Sequence, residues 1–260
     1  MSITVSGIAE GRELKAQKLN RMIKVDNSTK VHSRSSSPAF GNAMLQAVPS
    51  SEVYLMDCIQ GMKHYPDKYF DLAVVDPPYG LGIDGQKLSI NKNPKHNRKQ
   101  HSQKDWDNEI PAMQYFTELF RVSKNQIIWG ANYFVEHLNY GSKGWLVWFK
   151  GQEGLTMSDC ELAYSSFQFP TRVFNINRVE LLKEGTIHTT QKPVVLYDRC
   201  FDFAKVEAGM KVLDTHLGSQ SSRISANKYQ LNFVGFETDE EYFNKGNKRY
   251  DDFVSQTRLF

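Results

Sequence analysis

The sequence contains little cysteine, no long apolar run and almost no net charge. Its three cysteines, Cys58, Cys160 and Cys200, lie far apart and form no C-x-x-C pair, so neither a disulfide framework nor a metal site is expected. No stretch approaches the roughly 18 consecutive apolar residues of a membrane-spanning helix. The N-terminal residues lack the apolar core of a secretory signal. These absences predict a cytoplasmic protein that does not bind membranes.

The 260 residues carry 32 basic and 29 acidic side chains, and the resulting net charge of +3 indicates no particular partner. A hydrophobic fraction of 40% and an aromatic fraction of 12% are enough for a substantial core, which excludes a wholly disordered chain. Residues 27–38 are polar and contain few large apolar side chains. We therefore expect a partly flexible N-terminal extension over residues 1–50, followed by one domain over residues 51–260.

From Glu52 onward, short apolar stretches alternate with segments of helical periodicity. The predicted strands cover residues 53–57, 71–75, 126–129, 145–149, 160–164, 172–176, 211–214 and 231–237. The predicted helices cover residues 111–120, 193–205, 219–228 and 239–253, and a short helix that ends near Pro66 is expected within residues 59–68. Such alternation predicts an α/β fold with a doubly wound, mostly parallel sheet.

Acidic side chains stand at or just after the ends of four predicted strands: Asp57, Asp76, Asp214 and Glu237. In open α/β sheets, ligands bind beyond the carboxyl ends of the strands. A concentration of carboxylates at that edge favours a ligand with hydroxyl and amine groups over a phosphate.

One of these acids begins the sequence Asp76-Pro77-Pro78-Tyr79. Two consecutive prolines restrict the backbone and remove two N–H donors, so the local polar groups are acceptors: the Asp76 carboxylate and nearby carbonyl oxygens. An aromatic ring follows at once. Such a site suits a planar group that bears an NH₂, bound by the acceptors and stacked on Tyr79.

Three further motifs are weak when taken singly. Residues 213–222 form a strand, a turn with Gly218 and a helix start, but they lack G-x-G-x-x-G and also fit an ordinary β-α turn. Glu237 follows that turn by about twenty residues, as acids that bind ribose hydroxyls do. Residues 188–193 precede a helix, where polar groups bind a carboxylate or cap the helix.

Together these motifs resemble those of S-adenosylmethionine-dependent DNA amino-methyltransferases, most of all the adenine-N6 type. Residues 76–79 match the family's catalytic D-P-P-Y motif. Residues 213–222 resemble its methionine-binding D-P-F-x-G-S-G-T-T loop, and residues 188–193 resemble its H-P-T-Q-K-P motif. Glu237 stands where the family has its ribose-binding acid, and Asp57-Cys58 resembles a short acidic motif near the cofactor adenine. The catalytic motif precedes the cofactor motifs, as in the permuted beta group.

The resemblance implies a Rossmann-like class I methyltransferase fold with an antiparallel edge strand. It also implies methyl transfer from S-adenosyl-L-methionine to the N6 amine of adenine in double-stranded DNA, with S-adenosyl-L-homocysteine as the product and no metal. The target base would be flipped out of the duplex. The catalytic residues would be Asp76, Pro77, Pro78 and Tyr79. The cofactor-binding residues would be Asp57, Cys58, His188, Thr190, Gln191, Lys192, Pro193, Asp214, His216, Gly218, Ser219, Ser221, Ser222 and Glu237.

Residues 87–104 contain six lysine and arginine side chains and no carboxylate. We interpret them as a mobile loop that grips the DNA backbone, although a solvated surface loop is the alternative. Residues 167–185 form the best candidate for a short target-recognition segment. The predicted DNA contacts are Lys92, Lys95, Arg98, Lys99, Arg172 and Arg178.

The chain departs from the family pattern at several positions. Thr215 and His216 replace Pro-Phe, and Gln220 replaces a glycine, where its side chain would crowd the cofactor or point to solvent. Cytosine-N4 transfer and a catalytically impaired DNA-binding homologue therefore stay open as alternatives; Asp76 favours adenine by family association. A bacterial or phage origin, with or without a restriction partner, is expected. Homodimers are common among the methyltransferases that this sequence resembles, but the sequence itself does not indicate an oligomeric state.

Overall fold

The computed structural model describes residues 49–83, 107–138, 141–151, 158–177 and 184–257. Its strands are β1 (Ser51–Leu55), β2 (Phe70–Val75), β3 (Ser123–Trp129), β4 (Leu146–Phe149), β5 (Cys160–Ser165), β6 (Arg172–Asn175), β7 (Lys211–Asp214) and β8 (Asn232–Glu237). Its α-helices are α1 (Cys58–Met62), α2 (Met113–Val122), α3 (Val194–Ala204), α4 (Ser221–Lys228) and α5 (Glu240–Thr257). The basic loop and most of the N-terminal extension lie outside the described residues.

The eight strands form one sheet in the order β1-β8-β7-β2-β3-β5-β4-β6. Strands β1, β8, β7, β2 and β3 pair in parallel. Strand β5 runs antiparallel to both β3 and β4. The α/β class and the mostly parallel sheet are therefore as predicted. The antiparallel strand is not at the edge, because β4 and, parallel to it, β6 add two strands outside β5.

The sheet is covered by helices on both faces. In the middle of β2, Leu72 and Val74 pack in one apolar cluster with residues of α3, α4 and α5. Ala73 and Val75 point the other way, into a cluster formed with α1 and α2. A strand that is buried on both faces needs apolar side chains at every position, which explains the uninterrupted apolar run.

Two predicted boundaries are wrong for local reasons. Helix α1 ends at Met62 rather than near Pro66, since Pro66 has no N–H to donate to the Met62 carbonyl. Strand β1 ends at Leu55, because the side chain of Asp57 caps α1 by accepting a hydrogen bond from the Gln60 amide at 2.9 Å. Asp57 therefore follows the strand instead of ending it.

None of the helices in the part of the chain that the structure describes has the length and apolar character needed to span a membrane.

Helix α2 offers a direct test of the two-faced core. Leu119 is fully buried in the cluster that includes residues of β2 and β3, whereas Met113 on the same helix is 51% exposed. We expect Leu119→Ala to lower the free energy of unfolding by about 2–5 kcal/mol, because it leaves a cavity. Met113→Ala is the matched control and should change it by less than about 0.5 kcal/mol. Urea denaturation measures both; equal effects of the two substitutions would contradict this packing.

Candidate active site at the carboxyl edge of the sheet

The order of the parallel strands brings the four strand-end acids to one edge of the sheet. Strands β1, β8, β7 and β2 are neighbours and run in the same direction. Asp57, Glu237, Asp214 and Asp76 therefore follow one another along that edge, although they are far apart in the sequence. The electrostatic influence of Asp76 and Glu237 on Asp214 agrees with this arrangement.

Asp214 holds the loop between β7 and α4. Its Oδ1 accepts the His216 amide at 3.0 Å, and its Oδ2 accepts the hydroxyl of Ser222 at 2.5 Å. Burial raises the pKa of the Asp214 carboxyl to about 7, with the Ser222 hydrogen bond opposing the shift. The carboxylate thus ties the start of the loop to the first turn of the helix.

Glu237 holds the middle of the same loop from the neighbouring strand. Its Oε2 accepts the Gly218 amide at 2.8 Å, and its Oε1 accepts the amides of Thr238 and Asp239 at 2.9 Å each. Burial raises the pKa of this carboxyl, and the three amides oppose the rise. Gly218 has a φ of +46°, which favours glycine.

The loop serines bind protein groups. The hydroxyls of Ser219 and Ser221 lie 3.1 Å apart, and Arg249 of α5 donates to the Ser219 carbonyl at 2.8 Å and to the Ser221 hydroxyl at 2.9 Å. Three of the serines predicted to contact a cofactor, counting Ser222, therefore use their hydroxyls to shape the loop.

Gln220 points away from the edge. Its side chain is fully buried against α5, where Gly246 leaves room for it. Its Nε2 donates to Asn247 Oδ1 at 3.0 Å, and its Oε1 accepts from Arg223 at 2.8 Å. Both expectations from the sequence, crowding of the cofactor or exposure to solvent, are wrong, because the αL backbone of Gln220 directs its side chain into the α4–α5 interface.

The segment before α3 has a structural role at most of its positions. Gln191 is buried and clamps the chain: its Oε1 accepts the Ile187 amide at 3.0 Å, and its Nε2 donates to the Gly185 carbonyl at 2.9 Å. Pro193 is the N-cap residue of α3. The His188 ring accepts from the Thr190 amide at 3.3 Å and contacts Tyr242. It also lies beside Gly218, so this segment borders the loop.

Lys192 is the exception, because its side chain enters the site. Its ammonium group is 2.5 Å from Asp76 Oδ2, 3.0 Å from the Tyr79 hydroxyl and 3.1 Å from Glu161 Oε2. The Tyr79 hydroxyl donates to Asp76 Oδ1 at 2.6 Å. Lys150 completes the group with a 2.7 Å contact to Glu161 Oε1.

In this group positive and negative charges alternate; Lys192 and Lys150 are buried, and the two carboxylates and Tyr79 are partly buried. Burial lowers the pKa of Lys192, but the Asp76 and Glu161 carboxylates outweigh it and leave the pKa raised. Burial would raise the pKa of Glu161, but Lys192 and Lys150 bring it down to about 2. Burial raises the pKa of Asp76, and Lys192 opposes that rise. Burial beside Asp76 raises the pKa of Tyr79, so the phenol is a neutral donor.

The sequence alone did not identify Glu161 and Lys150 as site residues. Glu161 is a carboxylate in an otherwise apolar strand, which is a signal that a partner is buried with it. Its partners come from the end of β4 and from the segment before α3, and only the antiparallel pairing of β4 with β5 brings Lys150 near.

The Tyr79 ring is held from several sides. It stacks on Tyr133 with ring centroids 5.1 Å apart and planes at 17°. Gly130 has a φ of +70°, and a Cβ there would come within 2.0 Å of the Tyr79 ring, so this position requires glycine. The Tyr79 amide donates to Asp107 Oδ1 at 2.8 Å, and Asp107 also accepts the amides of Gly80 and Ile83. Asp107 is a structural residue that sequence reasoning missed.

His216, which is half-buried, and Cys58, which is buried, are uncharged. Tyr115, Thr215 and His216 form a chain: 2.7 Å between the two hydroxyls and 2.9 Å from Thr215 Oγ1 to His216 Nδ1. Burial lowers the pKa of His216 to about 4. Burial also raises the pKa of Cys58 to about 12, so this residue is a thiol rather than a nucleophilic thiolate.

Of the predicted DNA contacts, the structure describes only Arg172, which is exposed on β6. Lys92, Lys95, Arg98, Lys99 and Arg178 lie outside the described residues. Among the residues that are described, no three histidine, cysteine or acidic side chains cluster as metal ligands would.

Sequence comparison gives a partial match. A family model of N6-N4 methyltransferases, described as DNA methylase, matches residues 137–248. This is less than half of the chain, and it begins after the Asp76–Tyr79 motif. Among curated proteins, no sequence match is found.

Three solved structures resemble this one. M1.HpyAVI in complex with S-adenosyl-L-methionine has a TM-score of 0.51 at 17% identity, over 76% of this chain and 97% of that one. TTHA0409 of Thermus thermophilus, a candidate DNA modification methylase complexed with S-adenosyl-L-methionine, has a TM-score of 0.50 at 15% identity. The match covers 78% of this chain and 93% of that one. PvuII DNA methyltransferase, which is cytosine-N4-specific, has a TM-score of 0.52 at 11% identity. The match covers 80% of this chain and 91% of that one. At these identities the likeness concerns the fold, and it confirms the predicted Rossmann-like α/β fold.

The position of Gln220 leads to a stability prediction. We expect Gln220→Ala to lower the free energy of unfolding by about 1–3 kcal/mol, because it leaves the buried Arg223 guanidinium without one of its acceptors. Gln230 is a matched control, since it too has a positive φ, of 54°, but is exposed. Gln230→Ala should therefore have a much smaller effect in the same urea titration. Equal losses would place the effect in the backbone and contradict the buried hydrogen bonds.

Proposed function

We propose that this protein is an S-adenosylmethionine-dependent DNA methyltransferase that modifies the N6 amine of adenine. The observation that carries the proposal is the Asp76–Tyr79 motif at the carboxyl end of β2, with its carboxylate and its aromatic ring held together in one site. The DNA methylase model and the two similar structures that contain S-adenosyl-L-methionine support the coarser part of this proposal, methylation of DNA with S-adenosylmethionine.

The described residues suit this cofactor. A carboxylate-rich edge favours a sulfonium cation, and the loop around Gly218 lies at the same edge of the sheet. Glu237 uses three of its roughly four acceptor positions for backbone amides, which leaves one for a ribose hydroxyl. Gln220 is directed into the protein and leaves the loop free. When bound, the cofactor supplies an electrophilic methyl carbon.

The chemistry assigned to Asp76 is the orientation of a weak nucleophile. The lone pair of an exocyclic amine is delocalised into the base. Acceptance of its two N–H bonds by the Asp76 carboxylate and the Pro77 carbonyl favours a pyramidal nitrogen whose lone pair is available. Each Asp76 oxygen has a second lone pair, so it can accept an amine hydrogen while its contact to Tyr79 or Lys192 persists. Positioning and electrostatics then provide the acceleration.

Binding of DNA is the next part of the proposal. A base inside a duplex cannot reach Asp76, so the target must be flipped out of the stack. We assign the flipped base a position beside Tyr79, whose ring is held by its stack on Tyr133. We assign the phosphate contacts to the residues predicted from the sequence, of which Arg172 is exposed. Three assignments stay predictions from the sequence: a catalytic domain over residues 51–260, binding of the DNA backbone by residues 87–104, and target recognition by residues 167–185.

Cytosine-N4 transfer is the second candidate. The PvuII enzyme, whose fold this chain shares with a TM-score of 0.52, is cytosine-N4-specific, and the chemistry at Asp76 would serve either amine. The third alternative, an impaired DNA-binding homologue, rested on Gln220, whose side chain packs against α5 instead of the cofactor loop.

The decisive measurement is transfer of a labelled methyl group to DNA. Wild-type protein should modify DNA, and Asp76→Asn should reduce the rate by at least about 10²-fold, because the amide oxygen is a weaker acceptor than a carboxylate oxygen. Affinity for S-adenosylmethionine, measured by calorimetry, should stay within threefold. Asp67→Asn, at the opposite end of β2, is the matched control and should retain full activity.

Mass spectrometry of the digested DNA identifies the base. N6-methyladenine is the expected product, whereas N4-methylcytosine would establish the second candidate. Full activity of Asp76→Asn would refute the assigned role of Asp76. Intact DNA binding without detectable cofactor binding by the wild-type protein would instead favour the impaired homologue.

A further inference from the structure

We propose that Lys192 is a positioning residue for Asp76, and that it acts with Glu161 and Lys150 rather than by binding the cofactor. This inference rests on the proposed function, because it gives a role to a second group of residues in the same site. The resemblance at the sequence level had placed Lys192 among the cofactor residues.

The hydrogen bonds of Lys192 carry the first step of the argument. An ammonium group has three donors, and in Lys192 they match three oxygen acceptors: Asp76 Oδ2, the Tyr79 hydroxyl and Glu161 Oε2. The side chain is 3% exposed. A cofactor carboxylate would therefore have to break one of these contacts and take its place. The existing partners already satisfy the lysine.

Charge balance is the second step. Two carboxylates around one buried ammonium carry an excess negative charge, and burial of an unbalanced charge is costly. Lys150 corrects the excess by contacting the other oxygen of Glu161 at 2.7 Å. The result is a neutral series, Asp76–Lys192–Glu161–Lys150, in which each charged group has an opposite neighbour.

The consequence for Asp76 is the third step. A buried carboxylate without a cation binds a proton more readily, and a protonated oxygen donates instead of accepting. Burial does raise the pKa of Asp76, and Lys192 is the main group that opposes the rise. Lys192 thus keeps Asp76 an acceptor for the amine hydrogens. It also fixes the orientation of the carboxylate, together with the Tyr79 hydroxyl.

Other titratable groups do not replace Lys192 in this role. Asp214 on β7 is acidic, so it opposes ionisation of Asp76. Tyr115 on α2 and Tyr197 on α3 have pKa values that burial raises well above the ordinary range, so they are neutral. Lys192 is therefore the group that supplies positive charge directly to Asp76 in the part of the site that the structure describes.

The neighbours of Lys192 in the chain explain how it is held. Gln191 clamps residues 185–187 with two hydrogen bonds, and Pro193 begins α3. The backbone on both sides of Lys192 is thereby fixed. Residues 188–193 therefore have a second role, which is to place Lys192 against the Asp76 carboxylate.

The first experiment measures the rate of methyl transfer as a function of pH. In Lys192→Met, the pH below which activity falls should move upward by at least one unit, because Asp76 loses its cation. In Glu161→Gln, the pH below which activity falls should move downward or stay unchanged. The reason is that Glu161 no longer competes with Asp76 for the positive charge of Lys192. Lys192→Arg should restore a profile near that of the wild type. Lys228→Met, which removes a lysine from the remote ion pair with Asp198, is the matched control.

Cofactor affinity separates this role from direct binding of the cofactor. Calorimetry should give a dissociation constant for S-adenosylmethionine within threefold of wild type in Lys192→Met. A loss of affinity above tenfold, with an unshifted pH profile, would overturn the inference and return Lys192 to cofactor binding. Should Lys192→Met fail to fold, the profiles of Glu161→Gln and Lys192→Arg decide: an upward shift in Glu161→Gln contradicts the inference.

The second experiment needs neither cofactor nor DNA. Carbon-13 NMR of aspartate carboxyls, with the Asp76 signal assigned by its absence in Asp76→Asn, measures the titration of Asp76 directly. Lys192→Arg should keep its pKa within half a unit of wild type, and Lys192→Met should raise it by at least one unit. An unchanged Asp76 titration in Lys192→Met overturns the inference even if the wild-type protein methylates DNA. Absence of methylation with the expected titration overturns the proposed function alone.

Discussion

The parallel pairing of β1, β8, β7 and β2 is the constraint on which the rest of the site depends. Parallel strands end at the same edge, so a polar residue placed after each apolar strand is carried to a common line. Asp57, Glu237, Asp214 and Asp76 are brought together in this way. The helices on the two faces bury the strands, and burial gives each carboxylate an environment in which its partners determine its charge.

Most of the polar residues in the recognised motifs stabilise the backbone of the site. Asp214 and Glu237 shape the loop around Gly218, and Gln191 clamps the chain before α3. Asp107, outside the motifs, holds the turn after Tyr79 in the same way. A loop that binds a small ligand has to be rigid before the ligand arrives, and side chain to backbone hydrogen bonds provide that rigidity. Few motif side chains are left to face a substrate.

The strands were predictable because their apolar runs are uninterrupted and lie next to polar turns. Residues 211–214 form β7 as predicted, and the helix predicted over 193–205 is α3, Val194–Ala204. The end of α1 was predicted too late, near Pro66, whereas the helix ends at Met62, the residue whose carbonyl a helical Pro66 would have to bond without an N–H. The direction of the Gln220 side chain was predicted wrongly for a different reason. The side chain packs against α5, in space that Gly246 leaves open, and the sequence does not show that these two residues meet.

The sequence by itself determined the α/β class, the positions of most strands and helices, and the residues of the Asp76–Tyr79 motif. These follow from periodicity and from local chemistry, which act between residues close in the chain. Only the tertiary structure decided which side chains meet. The contact of Lys192 with Asp76, the pairing of Glu161 with Lys150 and the direction of Gln220 depend on strand order and helix packing, and charges far apart in sequence interact only when the fold buries them together.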